Sequence, residues 1–226
     1  MNIVSHINIE DVIFFDIETA ARWGSINEMK KQDERGYNLI RDRYMKDPSS
    51  GPSLNDYYAS KAPLNAVFGR VVCITIYNSD LDQTLSFCQK SEDALLRQFA
   101  EKLKFWNKLG KTYLCGCNIK KFDVPFLVQR YISQKQRIPQ ALDVAGLKPW
   151  ELKSLVDLRE IWQGPSRGWS SFDNILYSCG IPSPKDEMDG SMVSKAFHNG
   201  DLQAIKTYCE KDVLRNVSLF ERFKET

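Results

Sequence analysis

The sequence predicts an α/β fold, in which short strands form a sheet layer and amphipathic helices cover it. Two observations lead to this fold class. First, short apolar runs alternate with segments whose apolar residues recur at helical spacing. Second, two of these runs are separated only by a turn-forming segment, which predicts an antiparallel hairpin, whereas the other runs are joined through predicted helices, as in parallel sheets.

The first strand is predicted at residues 12–15, where four large apolar residues form a run too short for a buried helix. Side chains alternate along a strand, so Asp16 and Glu18, which follow directly, are expected on one face. Two neighbouring carboxylates repel each other unless a proton or a cation compensates, and a divalent metal ion is the best candidate. A solvated edge strand carrying two acids is the alternative.

A hairpin and a helix are predicted next. Residues 70–77 and 84–88 are rich in β-branched and aromatic residues, and the Asn, Ser and Asp residues between them favour a turn. Ser91 is the expected N-cap of a helix whose apolar residues recur at helical spacing, and Gly110 is expected to end it.

A second acidic position, Asp123, is expected where a fourth strand gives way to a helix. Residues 113–117 predict the strand, Asn118 lies in the turn after it, and Pro125 is tolerated in the first turn of a helix. The fold can bring such a junction to the same point as Asp16. The alternative role for Asp123 is a simple N-cap.

The final helix carries a further acidic position at the margin of its apolar stripe. A short fifth strand at residues 154–158 and a helix at about 171–179 precede it. Tyr208 and Asp212 are one turn apart, so they lie side by side on the final helix. A charged residue beside an apolar stripe is uncommon unless it is paired or bound to a metal.

Three segments of the chain together resemble the three exonuclease motifs of the DnaQ-like superfamily. The segments are Phe15-Asp16-Ile17-Glu18-Thr19, residues 118–123 followed by Pro125-Phe126-Leu127, and Tyr208-x-x-x-Asp212. A tyrosine four positions before the last aspartate is typical of the tyrosine (DEDDy) subclass; the histidine subclass would have His where this chain has Thr207. The chain is similar to stand-alone proteins that resemble the exonuclease domain of family B DNA polymerases.

This resemblance implies a ribonuclease H-like fold, in which helices flank a mixed five-stranded sheet. It also implies that Asp16, Glu18, Asp123 and Asp212 bind two divalent metal ions, Mg²⁺ or Mn²⁺, and that Tyr208 orients the attacking water. Hard cations prefer oxygen ligands, and a pair of them can stabilise both the attacking and the leaving oxygen in phosphodiester hydrolysis.

The implied function is a 3′ to 5′ exonuclease that releases nucleoside 5′-monophosphates from the 3′ end of single-stranded DNA. Ile17 and Thr19 are expected against the terminal nucleotide, Asn118 and Phe122 along the path of the strand, and Lys185 at a phosphate. Core packing is the alternative for Phe122, and a solvated position is the alternative for Lys185.

Two other functions remain open. A 3′ to 5′ exoribonuclease would use the same chemistry, because the choice between DNA and RNA depends on what surrounds the terminal 2′-hydroxyl. A nucleic-acid-binding module without catalysis is the third hypothesis, although the complete set of five catalytic residues argues against it.

Length and composition predict a single domain over residues 1–226. The chain has 226 residues, 42% hydrophobic, with no internal repeat, which suffices for one substantial core. A charged helical and loop insertion is expected at about residues 22–63; it is either a lid over the substrate or a solvated excursion. The formal net charge of +2 neither favours nor excludes a nucleic-acid partner.

Localisation and partners are only weakly constrained. No apolar stretch of membrane-spanning length occurs, and no basic start precedes an apolar block, so we expect a cytoplasmic protein without a membrane partner. No motif identifies a protein partner. The six cysteines lack paired C-x-x-C spacing, which predicts free thiols rather than zinc ligands or disulfides.

Overall fold

The structure is a computed structural model that describes residues 4–47, 49, 51–110, 112–148, 151–165, 168, 170–182 and 188–225. Within these residues the strands are β1 (Val12–Ala21), β2 (Gly69–Asn78), β3 (Gln83–Cys88), β4 (Tyr113–Gly116) and β5 (Leu155–Asp157). They form one sheet in the order β3-β2-β1-β4-β5. The pairs β1–β2 and β2–β3 are antiparallel, whereas β1–β4 and β4–β5 are parallel. The mixed five-stranded sheet expected from the sequence is confirmed.

The helices in the described part of the chain cover both faces of this sheet. They are α1 (Ile26–Gln32), α2 (Glu34–Lys46), α3 (Leu54–Lys61), α4 (Glu92–Lys108), α5 (Asp123–Ser133), α6 (Leu158–Gln163), α7 (Phe172–Ser178), α8 (Val193–Asn199) and α9 (Leu202–Lys224). Helices α4 and α5 pack on one face, and α7, α8 and α9 pack on the other.

Alternation along β1 sends its side chains to both halves of the core. Phe15 stacks on Phe99 of α4, with ring centroids 6.4 Å apart, on one face. Phe14 meets Phe220 of α9 edge to face at 5.3 Å on the other. Because side chains alternate with a period of two, Asp16 and Glu18 follow Phe14 onto the α9 face. The two carboxylates therefore leave the apolar core directly beneath α9.

A buried ion pair ties α4, α5 and β2 together. Arg130 Nη2 lies 2.7 Å from Glu92 Oε2, and Glu92 Oε1 accepts the backbone N–H of Val71 at 2.8 Å. A second guanidinium nitrogen of Arg130 donates to the Ala66 carbonyl. Removing one partner of such a pair typically costs about 3–5 kcal/mol. This network fixes α5, whose first residue is Asp123, against the sheet.

The insertion expected at about residues 22–63 folds into the three helices α1, α2 and α3. Asp33 separates α1 from α2, because its side chain accepts the Gly36 N–H at 2.9 Å and thereby caps α2. Met29, Ile40 and Tyr57, each at most 2% exposed, are central to a small core among α1, α2 and α3. The sequence analysis also missed the short helices α6 and α8.

All six cysteines are free, three of them buried and three partly exposed. Among the described residues, none of the helices combines the length and the apolar character needed to span a membrane.

Candidate active site

The carboxyl ends of the central strands meet at one edge of the sheet. The parallel pairing of β1 with β4 places Phe14 opposite Cys115, so Asp16 and the turn after β4 extend from the same edge. Gly116 permits this approach, because a Cβ atom there would lie 2.6 Å from the Phe15 carbonyl oxygen. A β-bulge between Glu18 and Thr19 interrupts the β1–β2 register beside the site, as is common next to active sites.

Asp123 reaches β1 through its side chain. It is the first residue of α5, and its Oδ1 atom accepts the backbone N–H of Ile17 at 3.2 Å. Phe122 occupies the N-cap position and makes no side-chain capping bond. The simple N-cap alternative therefore does not describe Asp123; its carboxylate joins α5 to the strand that carries Asp16 and Glu18.

Helix α9 brings the third segment to the same place. The Cys209 thiol donates to the Asp16 carbonyl at 3.6 Å, which holds the helix against β1. One turn apart on the same helix, Tyr208 and Asp212 are hydrogen-bonded: the Tyr208 hydroxyl donates to the Asp212 carboxylate. The guanidinium of Arg215 forms an ion pair with the same Asp212 carboxylate.

These segments enclose a cleft of about 300 Å³. Every predicted site residue within the described chain lines it: Asp16, Ile17, Glu18, Thr19, Asn118, Phe122, Asp123, Tyr208 and Asp212. Lys185 lies outside the described residues. Phe122 also packs at 5.5 Å from the ring of Phe126, so it combines its expected place in the cleft with its alternative role in the core.

The protein compensates the negative charge of the cleft carboxylates only weakly. Burial, followed by the neighbouring Cys209 and the other acids, raises the pKa of Asp16 and of Glu18 well above the ordinary range. Burial raises the pKa of Asp123 to about 7, although the N–H of Ile17 opposes this shift. Negative charge at this edge of the sheet therefore requires a cation to become favourable.

The donor set fits a hard divalent cation. Single ligand atoms of Asp16, Glu18 and Cys209 lie within 4.8 Å of one another, and Asp123 and Asp212 face the same cleft. Carboxylate oxygens are the ligands that Mg²⁺ and Mn²⁺ prefer. Asp212 differs from the other three acids because Arg215 opposes the effect of burial, which nevertheless raises its pKa.

Tyr208 is set up as a hydrogen-bond donor. Burial, followed by the charge of Asp212, raises the pKa of the Tyr208 phenol far above its ordinary value of 10. The phenol therefore remains protonated at neutral pH and can orient an oxygen atom, but it cannot accept a proton as a general base.

Several cleft residues were missed by sequence reasoning. Arg215 follows Asp212 by three positions on a helix, a spacing that allows an ion pair and could have been recognised. Asp173, the second residue of α7, also lines the cleft, and its charge raises the pKa of Asp212. Leu64, which is 62% exposed, brings the end of the insertion to the cleft, and nothing in its local pattern indicated this.

Asp157 shows how a structural acid differs from these residues. It lies at the end of β5 and is 4% exposed, but its carboxylate accepts four backbone N–H groups. The donors are Asn118 and Lys120 in the turn after β4, and Arg159 and Glu160 at the start of α6. Asp157 thus shapes the turn that presents Asn118, without a need for a cation.

Comparison with known proteins agrees with this arrangement. A search of curated proteins found no match. The chain resembles the structure of the family B DNA polymerase from the hyperthermophilic archaeon Pyrobaculum calidifontis, with a TM-score of 0.60 and 18% identity. The alignment covers 93% of this chain and 24% of the polymerase chain, so the present chain spans about a quarter of that enzyme. At this identity the likeness establishes the ribonuclease H-like fold.

The family assignment rests on a separate finding. Residues 63–226 match the model of a family described as a predicted 3′ to 5′ exonuclease related to the exonuclease domain of PolB. The match includes the second and third acidic segments, and β1 supplies the first. The chain therefore belongs to this family of nucleases related to the PolB exonuclease domain.

Proposed function

We propose that this protein is a metal-dependent 3′ to 5′ exonuclease that removes nucleoside 5′-monophosphates from the 3′ end of single-stranded DNA. The observation that carries this proposal is the convergence of four carboxylates and one phenol, from three distant segments, in one cleft. Membership of the exonuclease family supports a nucleic-acid substrate and hydrolysis of its phosphodiester bonds.

In this proposal Asp16, Glu18, Asp123 and Asp212 hold two divalent cations, Mg²⁺ or Mn²⁺. When bound, such cations stabilise the negative charge that develops on the attacking and leaving oxygens of an in-line displacement. The raised pKa values of Asp16, Glu18 and Asp123 support this role, because uncompensated carboxylates are the groups that gain most from a cation.

Tyr208 positions the attacking water by accepting a hydrogen bond from it, because the only proton of the phenol is donated to Asp212. Its hydroxyl is held by Asp212, and this bond fixes the orientation of the ring relative to a carboxylate of the site. Arg215 in turn orients the Asp212 carboxylate through an ion pair. The water is thus aligned by a chain of three side chains on one rigid helix.

The other predicted site residues would contact the 3′ end of the substrate strand. Ile17 and Thr19, 4% and 6% exposed, form a firm wall for the terminal nucleotide. Asn118 has a left-handed backbone (φ +69°), which turns the chain away from β4 and leaves its side chain at the cleft. Phe122 offers a ring face for stacking on a base, an interaction that tolerates any sequence and needs an unpaired strand. We assign a phosphate contact to Lys185.

The insertion belongs to the same single domain in this proposal. Its three helices pack on one another, and its final residues Pro63 and Leu64 border the cleft. This placement favours the role of a lid over that of a solvated excursion. A lid would contact the strand beyond the terminal nucleotide, so shortening the insertion would weaken binding of long strands more than of short ones.

Digestion of matched DNA and RNA oligonucleotides, each with a free or a blocked 3′ end, tests the proposal. The wild type should shorten single-stranded DNA from the free 3′ end in Mg²⁺ or Mn²⁺, Asp16→Ala should be inactive, and Asp42→Ala, on the exposed surface of α2, should match the wild type. Equal cutting of blocked and free ends would indicate an endonuclease, and faster digestion of RNA would indicate an exoribonuclease.

A further inference from the structure

Three cysteines form a thiol cluster behind the acidic strand. They are Cys73 on β2, Cys88 on β3 and Cys209 on α9, and they pack among the same buried residues between the sheet and helices α8 and α9. Cys73 and Cys209 are fully buried, whereas Cys88 is partly exposed. The catalytic proposal does not use Cys73 or Cys88.

The two strand cysteines lie directly opposite each other in a position that suits a disulfide. Cys73 and Cys88 are paired residues of antiparallel strands. The neighbouring pair is hydrogen-bonded, since the Gln89 N–H donates to the Val72 carbonyl at 3.3 Å. Hydrogen-bonded and non-hydrogen-bonded pairs alternate, so Cys73 and Cys88 form a non-hydrogen-bonded pair, in which Cα atoms are typically about 4.5 Å apart. This separation falls within the range of disulfides.

The surroundings of the two thiols shift their pKa values in opposite directions. A hydrogen bond from Cys73 is the main cause that lowers the pKa of Cys88, and the Lys206 ammonium adds to it, whereas burial and the charge of Glu210 oppose the shift. The Cys88 thiol itself donates to the Leu202 carbonyl at 3.3 Å. The pKa of Cys73 is raised well above the ordinary value by its hydrogen bonds to Cys209 and Cys88 and by burial. A partly exposed thiol whose pKa is lowered, and which lies in contact with a second thiol, is the arrangement found in redox-sensitive cysteine pairs.

We propose that Cys88 and Cys73 are a peroxide-sensitive site that forms a reversible disulfide across β2 and β3. In the first step the Cys88 thiolate attacks a hydroperoxide, whose O–O bond breaks, and becomes a sulfenic acid. The alkoxide that leaves, or hydroxide for hydrogen peroxide, takes up the proton that the Cys88 thiol had released and becomes an alcohol or water. In the second step the Cys73 sulfur attacks the Cys88 sulfur, and the displaced hydroxyl takes the Cys73 proton and leaves as water. A dithiol reductant returns both thiols.

The position of this pair connects it to the cleft. Cys73 is the cross-strand partner of Glu18, and its other thiol neighbour, Cys209, donates to the backbone carbonyl of Asp16. Forming the disulfide turns the Cys73 sulfur towards β3 and removes its hydrogen bond to Cys209. The modification therefore takes place one layer behind two of the acidic residues.

Peptide mass mapping of the native protein after mild hydrogen peroxide treatment tests this site. The chain has no Lys or Arg between Arg70 and Lys90, so trypsin releases both cysteines in one peptide, residues 71–90, whereas Cys209 is released in residues 207–211. With remaining thiols alkylated, we expect the 71–90 peptide to lose two hydrogen atoms and to regain them after treatment with a dithiol. Cys88→Ser should abolish this loss of hydrogen, and Cys179→Ser, at the C-cap of α7, should retain it.

Three outcomes would overturn the inference. One is a cross-linked product of the 71–90 and 207–211 peptides, which would mean that Cys73 bonds to Cys209 instead. Another is addition of oxygen to Cys88 without loss of hydrogen, and the third is no change under conditions that oxidise exposed methionines such as Met45. Cys88→Ser replaces a single partly exposed sulfur atom, so it should leave the fold intact. Cys88→Ala serves as a second variant without a side-chain hydroxyl, and circular dichroism shows whether both variants are folded.

Discussion

Replacing Asp123 with Asn should stabilise the metal-free protein at neutral and alkaline pH, even though it removes a residue of the proposed catalytic set. The pKa of about 7 for Asp123 exceeds that of a free aspartate by about 3 pH units. At about 1.4 kcal/mol for each unit, the penalty for ionising this buried group is at most about 4 kcal/mol. Asn keeps an oxygen that can accept the Ile17 N–H, and it cannot acquire the charge.

The sign of the pH dependence follows from proton binding. Between about pH 4 and pH 7 the folded wild type holds a proton on Asp123 that the unfolded chain has released, so stability falls as the pH rises through this window. The Asp123→Asn variant does not lose stability in this way, because its amide does not titrate. The two proteins should therefore be equally stable near pH 4, and the variant should gain progressively up to about pH 7 and then keep a constant advantage.

Denaturant unfolding in the presence of a chelator, measured from pH 4 to pH 8, provides the assay. Asp157→Asn is the matched comparison, since Asp157 is equally buried but accepts four backbone N–H groups. An amide at position 157 would present a donor to another donor, which should destabilise the protein by about 1–3 kcal/mol. The reasoning is refuted if Asp123→Asn is no more stable than the wild type at pH 8, or if its gain is the same at pH 4.

Three further predictions concern individual residues of the cleft. Tyr208→Phe should lower kcat by about 10²-fold or more while leaving Mn²⁺ binding unchanged, which single-turnover digestion and calorimetry would show; unaltered kcat would contradict the orienting role. Arg215→Met should destabilise the metal-free protein by about 3–5 kcal/mol, because Asp212 loses its buried counter-charge, and Mn²⁺ should restore most of this stability; denaturant unfolding with and without Mn²⁺ decides it. Phe122→Ala should weaken single-strand binding by about 1–3 kcal/mol, measured by fluorescence anisotropy in the inactive Asp16→Asn background, and no change would place Phe122 in the core alone.

The sequence predicted the elements that carry the strongest periodicity and the residues that break it. The apolar run before Asp16, the Tyr208 to Asp212 spacing and the strand-to-helix junction at Asp123 each required only local rules. Their convergence came from the resemblance to a nuclease superfamily, because the spacing of segments along a chain does not determine which strand ends are adjacent. The register of β1 with β4 and the hydrogen bond from Ile17 to Asp123 supply that information in the structure.

The features that were missed depend on tertiary contacts. Leu64 comes three residues after the end of α3, and it reaches the cleft only because the three insertion helices pack on one another. Asp157 and Asp123 are both acids beside a turn, and local sequence does not distinguish the one that accepts four N–H groups of other residues from the one that accepts only its own N–H and that of Ile17 on a neighbouring strand. The positions of the backbone donors decide which carboxylate needs a cation.

Anomalous diffraction from crystals of the protein soaked in Mn²⁺ tests the central claim most directly. The account predicts strong peaks in the cleft, in contact with Asp16 and within coordination distance of Glu18, Asp123 and Asp212, and it predicts that Asp16→Asn crystals lose them. Peaks confined to other parts of the surface, or a cleft without bound Mn²⁺ in the wild type at saturating concentration, would contradict it.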